Sequence, residues 1–111
     1  MNTINWSDFE KIDFRAGTIT KAEEFPEARN PSYKVWVDLG ELGIKKSSAQ
    51  ITHHYTIDEL IGKQVICVCN FPVKQIGPLL SEVLVTGFPD ENNNVILATV
   101  DKNTPNGAKL Y

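Results

Sequence analysis

Cysteine is scarce in this chain, which has only Cys67 and Cys69, separated by one valine in the run VICVC. On a strand, both side chains project from the same face, and they are too close in sequence for an unstrained disulfide. The sequence therefore predicts free thiols and a reducing compartment. No apolar run approaches the roughly 20 residues that cross a bilayer, and no basic segment followed by an apolar one stands near the N-terminus. We expect a cytoplasmic chain that does not insert into membranes.

Positive charge is also scarce, since 11 lysines and arginines stand against 14 acidic residues and give a net charge of −3. That balance excludes a protein coated with positive charge for binding duplex DNA. The charge is uneven, however, and between residues 28 and 75 the basic residues outnumber the acidic ones. Either a local basic face or an ordinary mixed surface accounts for this unevenness.

Residue sets for catalysis or metal binding are missing. The chain has no GxSxG motif and no glycine-rich phosphate loop, and its acidic residues are scattered, so we expect no enzyme activity. His53 and His54 are adjacent and point to opposite sides of an extended backbone, so they cannot chelate one metal ion together. The two cysteines add zinc-binding atoms without the paired spacing of zinc sites. We expect buried cysteines, surface histidines, and no metal or cofactor.

What the sequence does have is a series of short strand patterns. The segment YKVWVDL alternates best, with Tyr33, Val35 and Val37 on one face and Lys34 and Trp36 on the other. The other strand-like segments are IDFRAGTITKAEEF, IKKSSAQI, QVICVCN, EVLVTGF and VILATV. No alternation of strands with long helices, no internal repeat and no linker is present.

Two short helices complete the pattern. The segment TIDELIG lies between the third and fourth strands, where Thr56 and Glu59 have the spacing of a capping box and Gly62 can end the helix. Near the N-terminus, Ser7 and Glu10 have the same spacing and predict a helical turn. Gly17, inside the first strand pattern, predicts a bulge or a sharp bend.

Five short antiparallel strands with a helix between the third and fourth form the order of an OB-fold, a five-stranded Greek-key barrel. We predict an all-β OB-fold as a single domain over residues 1–111, with its core in 12–88 and short extensions at 1–11 and 89–111. Such barrels bind extended ligands on the face of strands 2 and 3, flanked by the loops that join strands 1–2 and 4–5.

The longest connection joins the fourth and fifth strands and reads NFPVKQIGPLLSEVL, residues 70–84. A plain hairpin needs two to five linking residues, whereas this link has about eleven. Like the loop FPEARNPS at 25–32, it contains Phe-Pro, and proline limits the backbone freedom that a binding loop loses on engagement. The connection is therefore either one wall of a ligand groove, or a plug in which Phe71 closes the barrel end and the prolines break an edge.

Three aromatic side chains lack an obvious place in the core. Trp36 projects opposite two valines, which predicts that it faces the groove or a partner, although cover by the N-terminal segment is an equal alternative. Trp6 and Phe9 lie outside the barrel proper and need burial, which predicts a dimer interface. The third strand is unusually polar, and either ligand contact or a polar edge that prevents aggregation accounts for it. The polar residues on one of its faces are Lys46, Ser48 and Gln50.

Four segments resemble the tRNA-binding domain family, which includes a bacterial structure-specific tRNA-binding protein, the C-terminal extension of many methionyl-tRNA synthetases, and endothelial monocyte-activating polypeptide. The segments are DFRAGTITKAEEFPEA, SSAQIT, LIGKQVICVCNFPVKQIG and SEVLVTG. The likeness covers residues 8–110, and the motifs agree in order and spacing. Within the family, the chain looks most like the CsaA-like branch of bacterial protein-export chaperones.

The resemblance implies an OB-fold without catalysis and a homodimer built through the N- and C-terminal extensions. For the CsaA-like branch it implies unfolded or secretory preproteins as partners, and for the tRNA-binding branch it implies tRNA. Together with the strand pattern, it assigns a set of side chains to the binding of peptide or tRNA. These residues are Trp36, Lys46, Ser48, Gln50, Asn70, Phe71, Lys74 and Ser81.

The tRNA-binding branch reads Asn-Leu-Lys-Pro, then a lysine and an arginine-glycine, then Ser-x-Gly-Met. Asn70, Lys74, Gly77 and Ser81 match this pattern, whereas its first lysine and its arginine are absent and Glu82 follows the serine. Each neutralised phosphate contributes to affinity through counterion release, so this loss of basic charge favours a polypeptide ligand. The predicted function is a CsaA-like chaperone for unfolded or export-competent polypeptides, with a structure-specific tRNA-binding protein as the alternative.

Overall fold

The computed structural model describes the whole chain, Met1–Tyr111. The strands are β1 (Phe14–Glu24), β2 (Tyr33–Asp38), β3 (Ile44–Ala49), β4 (Gln64–Val68), β5 (Lys74–Ile76), β6 (Leu79–Ser81), β7 (Leu84–Val85), β8 (Gly87–Pro89) and β9 (Val95–Leu97). The helices are α1 (Trp6–Glu10) and α2 (Ile57–Leu60), and a 3-10 turn spans Gly40–Leu42. Neither helix has the length and apolar character that crossing a membrane requires.

Five strands form one antiparallel sheet in the order β3-β2-β1-β4-β7. The sheet curls because β1 pairs with β4 through its first half and with β2 through its second half. Its two ends meet where the Glu82 N–H donates to the Lys46 carbonyl oxygen at 2.8 Å, so the barrel is nearly closed. Helix α2 lies between β3 and β4 in the chain. The predicted OB-fold is therefore confirmed.

The core is built from the inward side chains of the barrel strands. On β2 the predicted alternation is observed, since Val35 and Val37 are fully buried and Trp36 between them is partly exposed. Leu97, on β9, belongs to the same buried cluster. The predicted end of the core at residue 88 is therefore wrong: β7 is only two residues long, and the β8–β9 hairpin supplies the remaining cover.

The C-terminal extension runs along β1 like a further strand. The Gly107 N–H donates to the Ala16 carbonyl at 2.7 Å, and the Ala16 N–H donates to the Ala108 carbonyl at 2.9 Å. The Leu110 N–H donates to the Phe14 carbonyl at 3.0 Å. These bonds occupy the edge of β1 that β2 leaves open, because β2 pairs only with its second half. The extension is thus fixed to the barrel within one chain.

Of the two alternatives predicted for Gly17, the bulge is wrong. The register of β1 against β2 shifts between Ile19 and Lys21 instead. A Cβ atom on Gly17 would lie 2.5 Å from Val37 Cγ1 and 2.7 Å from Leu39 Cδ2. Close packing therefore requires glycine at this position.

Helix α1 begins after Asn5, and the predicted capping pair of Ser7 and Glu10 is wrong. The Asp8 carboxylate accepts a hydrogen bond from the Asn5 N–H at 3.0 Å. Asp8, the third residue of the helix, therefore accepts from the backbone of the capping residue, as in a capping box. This box starts at Asn5, two residues before the predicted start at Ser7. Asn and Asp serve in these positions as well as Ser and Glu do, which is why spacing alone misplaces the start.

Helix α2 has the predicted capping box. The Thr56 hydroxyl accepts from the Glu59 N–H at 3.3 Å, and the Glu59 carboxylate accepts from the Thr56 N–H at 2.8 Å. The bond from the Thr56 backbone is the main cause that lowers the pKa of Glu59 below its ordinary value of 4.5. The pKa of Asp90 is likewise lowered from 3.8, first by the Asn94 backbone N–H and then by His54.

Acid is expected to weaken the fold through these two carboxylates. A carboxyl group whose pKa is lower in the folded state contributes stability that is present above its unfolded pKa and lost as the pH falls through the folded value. We expect the free energy of unfolding to decrease as the pH falls below the ordinary values of 4.5 and 3.8. Urea denaturation at a series of pH values should show a shallower decline for Glu59→Gln combined with Asp90→Asn. An equally steep decline in that variant would contradict this explanation.

Candidate peptide or RNA groove

The long connection between β4 and β7 is an ordered ribbon rather than a plain loop. Its strands β5 and β6 pair antiparallel, with Ile76 opposite Leu79 next to the turn. Gly77, with a φ of +54°, and Pro78 form the two linking residues. A positive φ at the first linking residue suits glycine and matches the twist of a tight hairpin.

The turn of this ribbon lies against the loop between β1 and β2. A Cβ atom on Gly77 would lie 3.8 Å from the Glu27 Cβ and 3.9 Å from the Phe25 ring. The Lys34 ammonium lies 5.2 Å from the centroid of the same ring. The two Phe-Pro connections therefore meet at one side of the barrel, where an OB-fold places the loops that flank its ligand.

An open groove of about 320 Å³ lies between β3 and the segment 71–84. Four of the predicted binding residues line it, namely Ser48, Phe71, Lys74 and Ser81. The remaining lining residues are Ser47, Pro72, Ile76, Glu82, Val83 and Leu84. The alternative in which Phe71 plugs the barrel is excluded, because 54% of this residue is exposed.

The side chains of Ser81 and Glu82 help to close the barrel against the backbone of β3. The Ser48 N–H donates to Ser81 Oγ at 3.3 Å, and the Lys46 N–H donates to Glu82 Oε1 at 3.1 Å. The hydroxyl of the buried Ser47 donates to the Ser48 carbonyl at 3.0 Å. Side chains thus satisfy backbone groups on a strand edge that would otherwise be open to another chain. The groove combines this polar floor with an apolar wall.

Both signs of charge border the groove. Lys74 lies on its wall and Glu82 on its floor. Lys45 Nζ is 3.9 Å from Glu82 Oε2, and because both side chains are partly exposed this ion pair contributes little to stability. The groove is therefore not the uniformly basic channel that would favour a polyanion.

Trp36 lies outside the groove, on the adjoining outer face of the sheet. It pairs with Lys46 across β2 and β3 and with Lys21 across β1 and β2, so these side chains share one face. The Lys21 ammonium lies 4.5 Å from the centroid of the Trp36 ring and makes a cation–π contact. In the next row Lys34 pairs with Ser48, which connects this face to the groove.

Two other predicted binding residues also lie apart from the groove lining. Gln50 is exposed just beyond the end of β3. Asn70 uses both ends of its side-chain amide within the chain: Oδ1 accepts from the Asp13 N–H at 2.9 Å, and Nδ2 donates to the Lys11 carbonyl at 2.7 Å. The structure thus places Asn70 at the base of the groove wall and gives its amide an internal role.

The N-terminal aromatic residues stack on the start of β1. The ring centroids of Trp6 and Phe9 are 5.1 Å apart, and those of Phe9 and Phe14 are 6.2 Å apart. Trp6 nevertheless remains 65% exposed. Helix α1 therefore presents an apolar surface, and the dimer interface at Trp6 and Phe9 stays a prediction.

Several groove residues lie outside the set assigned to ligand binding from the sequence, among them Ile76, Val83 and Leu84. Lys74 and Ile76 alternate along β5 toward the groove, so period-two alternation was the available signal. Recognising it requires that Gly77 and the proline after it be assigned as a hairpin turn. Val83 and Leu84 belong to a segment that the sequence pattern assigns only to the fifth strand.

The histidines and cysteines do not form a metal centre. No group of three or more His, Cys, Asp or Glu side chains is arranged to hold a metal ion. His54 Nε2 lies 2.8 Å from Asp90 Oδ2. Burial raises the pKa of the Cys67 thiol to about 12 and also raises that of Cys69. Both thiols therefore stay protonated at neutral pH, in which form they are poor nucleophiles.

Comparison with known proteins supports the same arrangement. A model of the tRNA-binding domain matches residues 14–109. The chain belongs to the tRNA-binding domain family. Methionine–tRNA ligase of Methanocaldococcus jannaschii is 36% identical over 110 residues, which are 99% of this chain and 17% of the ligase. Methionine–tRNA ligase 1 of Bacillus cereus is 36% identical over 108 residues, which are 96% of this chain and 16% of the ligase. The chain spans about a sixth of these ligases, and the matched unit is a tRNA-binding domain, not a catalytic one.

Solved structures of this family agree more closely. The chaperone CsaA of Bacillus anthracis is 46% identical with a TM-score of 0.93, covering 99% of this chain and 100% of its own. CsaA of Picrophilus torridus is 45% identical with a TM-score of 0.91, covering 98% and 100%. A methionyl-tRNA-synthetase-related protein of Pyrococcus horikoshii is 25% identical with a TM-score of 0.87, covering 100% of both chains. The resemblance to the CsaA-like branch is therefore confirmed.

Proposed function

We propose that this member of the tRNA-binding domain family is a homodimeric, CsaA-like chaperone that binds unfolded or export-competent polypeptides in the cytoplasm. It acts as one domain over residues 1–111 and catalyses no reaction. Similarity to two CsaA chaperones along nearly the whole chain supports this proposal. Their identity to the chain exceeds that of the methionine–tRNA ligases, which share only a small part of their length with it.

The apolar wall of the groove is the observation that carries the proposal. Phe71 and Leu84 line the groove and are 54% and 47% exposed. Val73 and Leu80 lie in the same connection outside the groove lining, and they are 58% and 48% exposed. Large apolar side chains that remain open to water in one region usually mark a binding surface. An extended polypeptide supplies apolar side chains for this wall and backbone polar groups for the floor.

Suppression of aggregation tests the chaperone activity directly. The chain should keep a chemically unfolded client in solution at a near-stoichiometric ratio when the client is diluted into buffer, as followed by light scattering. A folded protein of similar size and charge serves as the inert control. Failure to suppress the aggregation of several unrelated clients would count decisively against the proposal.

The partner proposed for helix α1 is a second copy of the chain. Ile4 and Trp6 are 71% and 65% exposed on one small segment, and aromatic side chains are enriched in interface cores. Sedimentation at micromolar concentration should give a dimer, and Trp6→Ala should shift the equilibrium toward monomer. A monomeric wild-type chain would remove this part of the proposal.

Binding of tRNA is the second candidate function, favoured by the family model and by the methionine–tRNA ligases among the relatives. If tRNA occupies the groove and the adjoining face, its affinity should fall steeply with salt. Lys46→Ala and Lys74→Ala should each weaken binding and reduce the salt slope by about one, whereas Lys102→Ala serves as a matched exposed control. Undetectable binding at low ionic strength would exclude this candidate.

A further inference from the structure

Asn70 lies where the chain leaves β4 and enters the groove wall. The pairing of β4 with β1 extends to Val68, and one step later the Cys69 N–H donates to the Asp13 carbonyl at 2.8 Å. Beyond that point the Asn70 side chain continues the pairing in place of the backbone. Its Oδ1 accepts from the Asp13 N–H at 2.9 Å, and its Nδ2 donates to the Lys11 carbonyl at 2.7 Å.

The chemistry of these two bonds is specific to asparagine. A primary amide offers the same donor and acceptor as a peptide group, whereas aspartate has no donor and glutamine is one methylene longer. The Asn70 side chain bonds to the Lys11 carbonyl and the Asp13 N–H, so these two backbone groups need no partner from the main chain that follows. The main chain of Phe71 and Pro72 can therefore leave the sheet. Both of these residues line the groove.

The segment before β1, which Asn70 contacts, is also fixed by hydrogen bonds that do not involve Asn70. The Asp13 carboxylate accepts from Arg15 Nε at 2.7 Å, and Arg15 Nη1 donates to the Gly107 carbonyl at 3.0 Å. The segment before β1 is therefore tied both to the C-terminal extension and to the Cys69 backbone. Loss of the Asn70 amide should release the groove wall while this segment stays in place.

We propose that Asn70 is a positioning residue, which fixes the angle at which Phe71 and Pro72 enter the groove wall without touching the ligand itself. This replaces the expectation that Asn70 contacts the ligand. The effect on affinity rests on the proposed function, whereas the effect on the wall of the unliganded groove does not.

The full chain and a labelled, permanently unfolded polypeptide test this role. Asn70→Ala should lower affinity about tenfold, since it removes two hydrogen bonds that order the wall. It should also accelerate amide hydrogen exchange in residues 71–76 of the unliganded chain. Asn70→Asp keeps an acceptor for the Asp13 N–H but places a carboxylate oxygen against the Lys11 carbonyl oxygen, where the amide donated, so its effects should be at least as large as those of Asn70→Ala. The exposed Asn103→Ala is the control and should behave as the wild type does.

A double-mutant cycle distinguishes positioning from contact. If Asn70 acts through Phe71, then Phe71→Ala should weaken binding less in the Asn70→Ala background than in the wild type. Additive losses, or unchanged exchange in residues 71–76, would overturn the proposal, and circular dichroism verifies that each variant is folded. If the wild type bound no polypeptide, the chaperone function would fail, and exchange in the unliganded variants would still decide the role of Asn70.

Discussion

Replacing Gly17 by valine is expected to cost the fold several kcal/mol, because β1 and β2 leave no room for a side chain at this position. A Cβ atom there would lie 2.8 Å from the Asp38 carbonyl oxygen as well as against Val37 and Leu39. Overpacking of a core typically costs about 1–3 kcal/mol, and a backbone atom cannot move aside as a side chain can. Gly17→Ala already introduces the clash, so it should destabilise by about 3 kcal/mol, and valine by more.

The sign of the stability change in Gly17→Ala distinguishes a packing clash from the ordinary preference of strands for alanine over glycine. In an ordinary strand, glycine is less favourable than alanine by about 0.5–1 kcal/mol, so the substitution would normally stabilise. Gly43→Ala is the matched control, because its Cβ would meet nothing within 4 Å and only its φ of +83° opposes the change. With a ψ of −169°, Gly43 lies in a backbone region that essentially only glycine adopts, so this strain costs about 1–3 kcal/mol. Urea denaturation measures all three variants, and a Gly17→Ala chain as stable as the wild type would contradict the packing of β1 on β2.

Replacing Phe71 by serine is expected to have the largest effect on ligand binding. Phe71 is half exposed on the apolar wall, so an extended polypeptide that covers it would bury a large apolar surface. Full burial of such a side chain contributes about 1.5–3 kcal/mol. Since 54% of Phe71 is exposed, covering it contributes up to about 1.6 kcal/mol, and the loss of this contribution weakens the affinity for an unfolded polypeptide up to roughly 15-fold.

Phe88→Ser is the matched control for this variant. Phe88 is 66% exposed and lies on β8, outside the groove lining. Fluorescence anisotropy with a labelled unfolded polypeptide should give near wild-type affinity for Phe88→Ser and a much weaker one for Phe71→Ser. Equal losses in the two variants would mean that apolar surface anywhere on the chain suffices, and the groove would lose its special role.

The barrel was predictable because its strands carry their own signals. The alternation of Val35 and Val37 with outward polar and aromatic residues identifies β2, and the Thr56–Glu59 spacing identifies α2. These are local patterns, since side-chain direction on a strand and capping at a helix start depend on neighbours in sequence. The order of such elements then leaves few arrangements other than an OB-fold.

The remaining features depend on contacts between distant residues. Closure of the barrel by Ser81 and Glu82 joins side chains to a strand more than 30 residues earlier. The Asn70 amide joins positions 57 and 59 residues apart. A motif shows that such residues matter, as the family pattern did for Asn70 and Ser81, but it does not show whether each one meets the ligand or supports the wall that does.

Side-by-side titration of one labelled unfolded preprotein and one labelled tRNA, each at low and at physiological salt, tests the central claim most directly. We predict that the polypeptide binds at least tenfold more tightly than tRNA at physiological salt, a gap of about 1.4 kcal/mol, with little change in its affinity between the two salt concentrations. Tighter binding of tRNA at physiological salt, together with no measurable binding of the preprotein at either concentration, would contradict it.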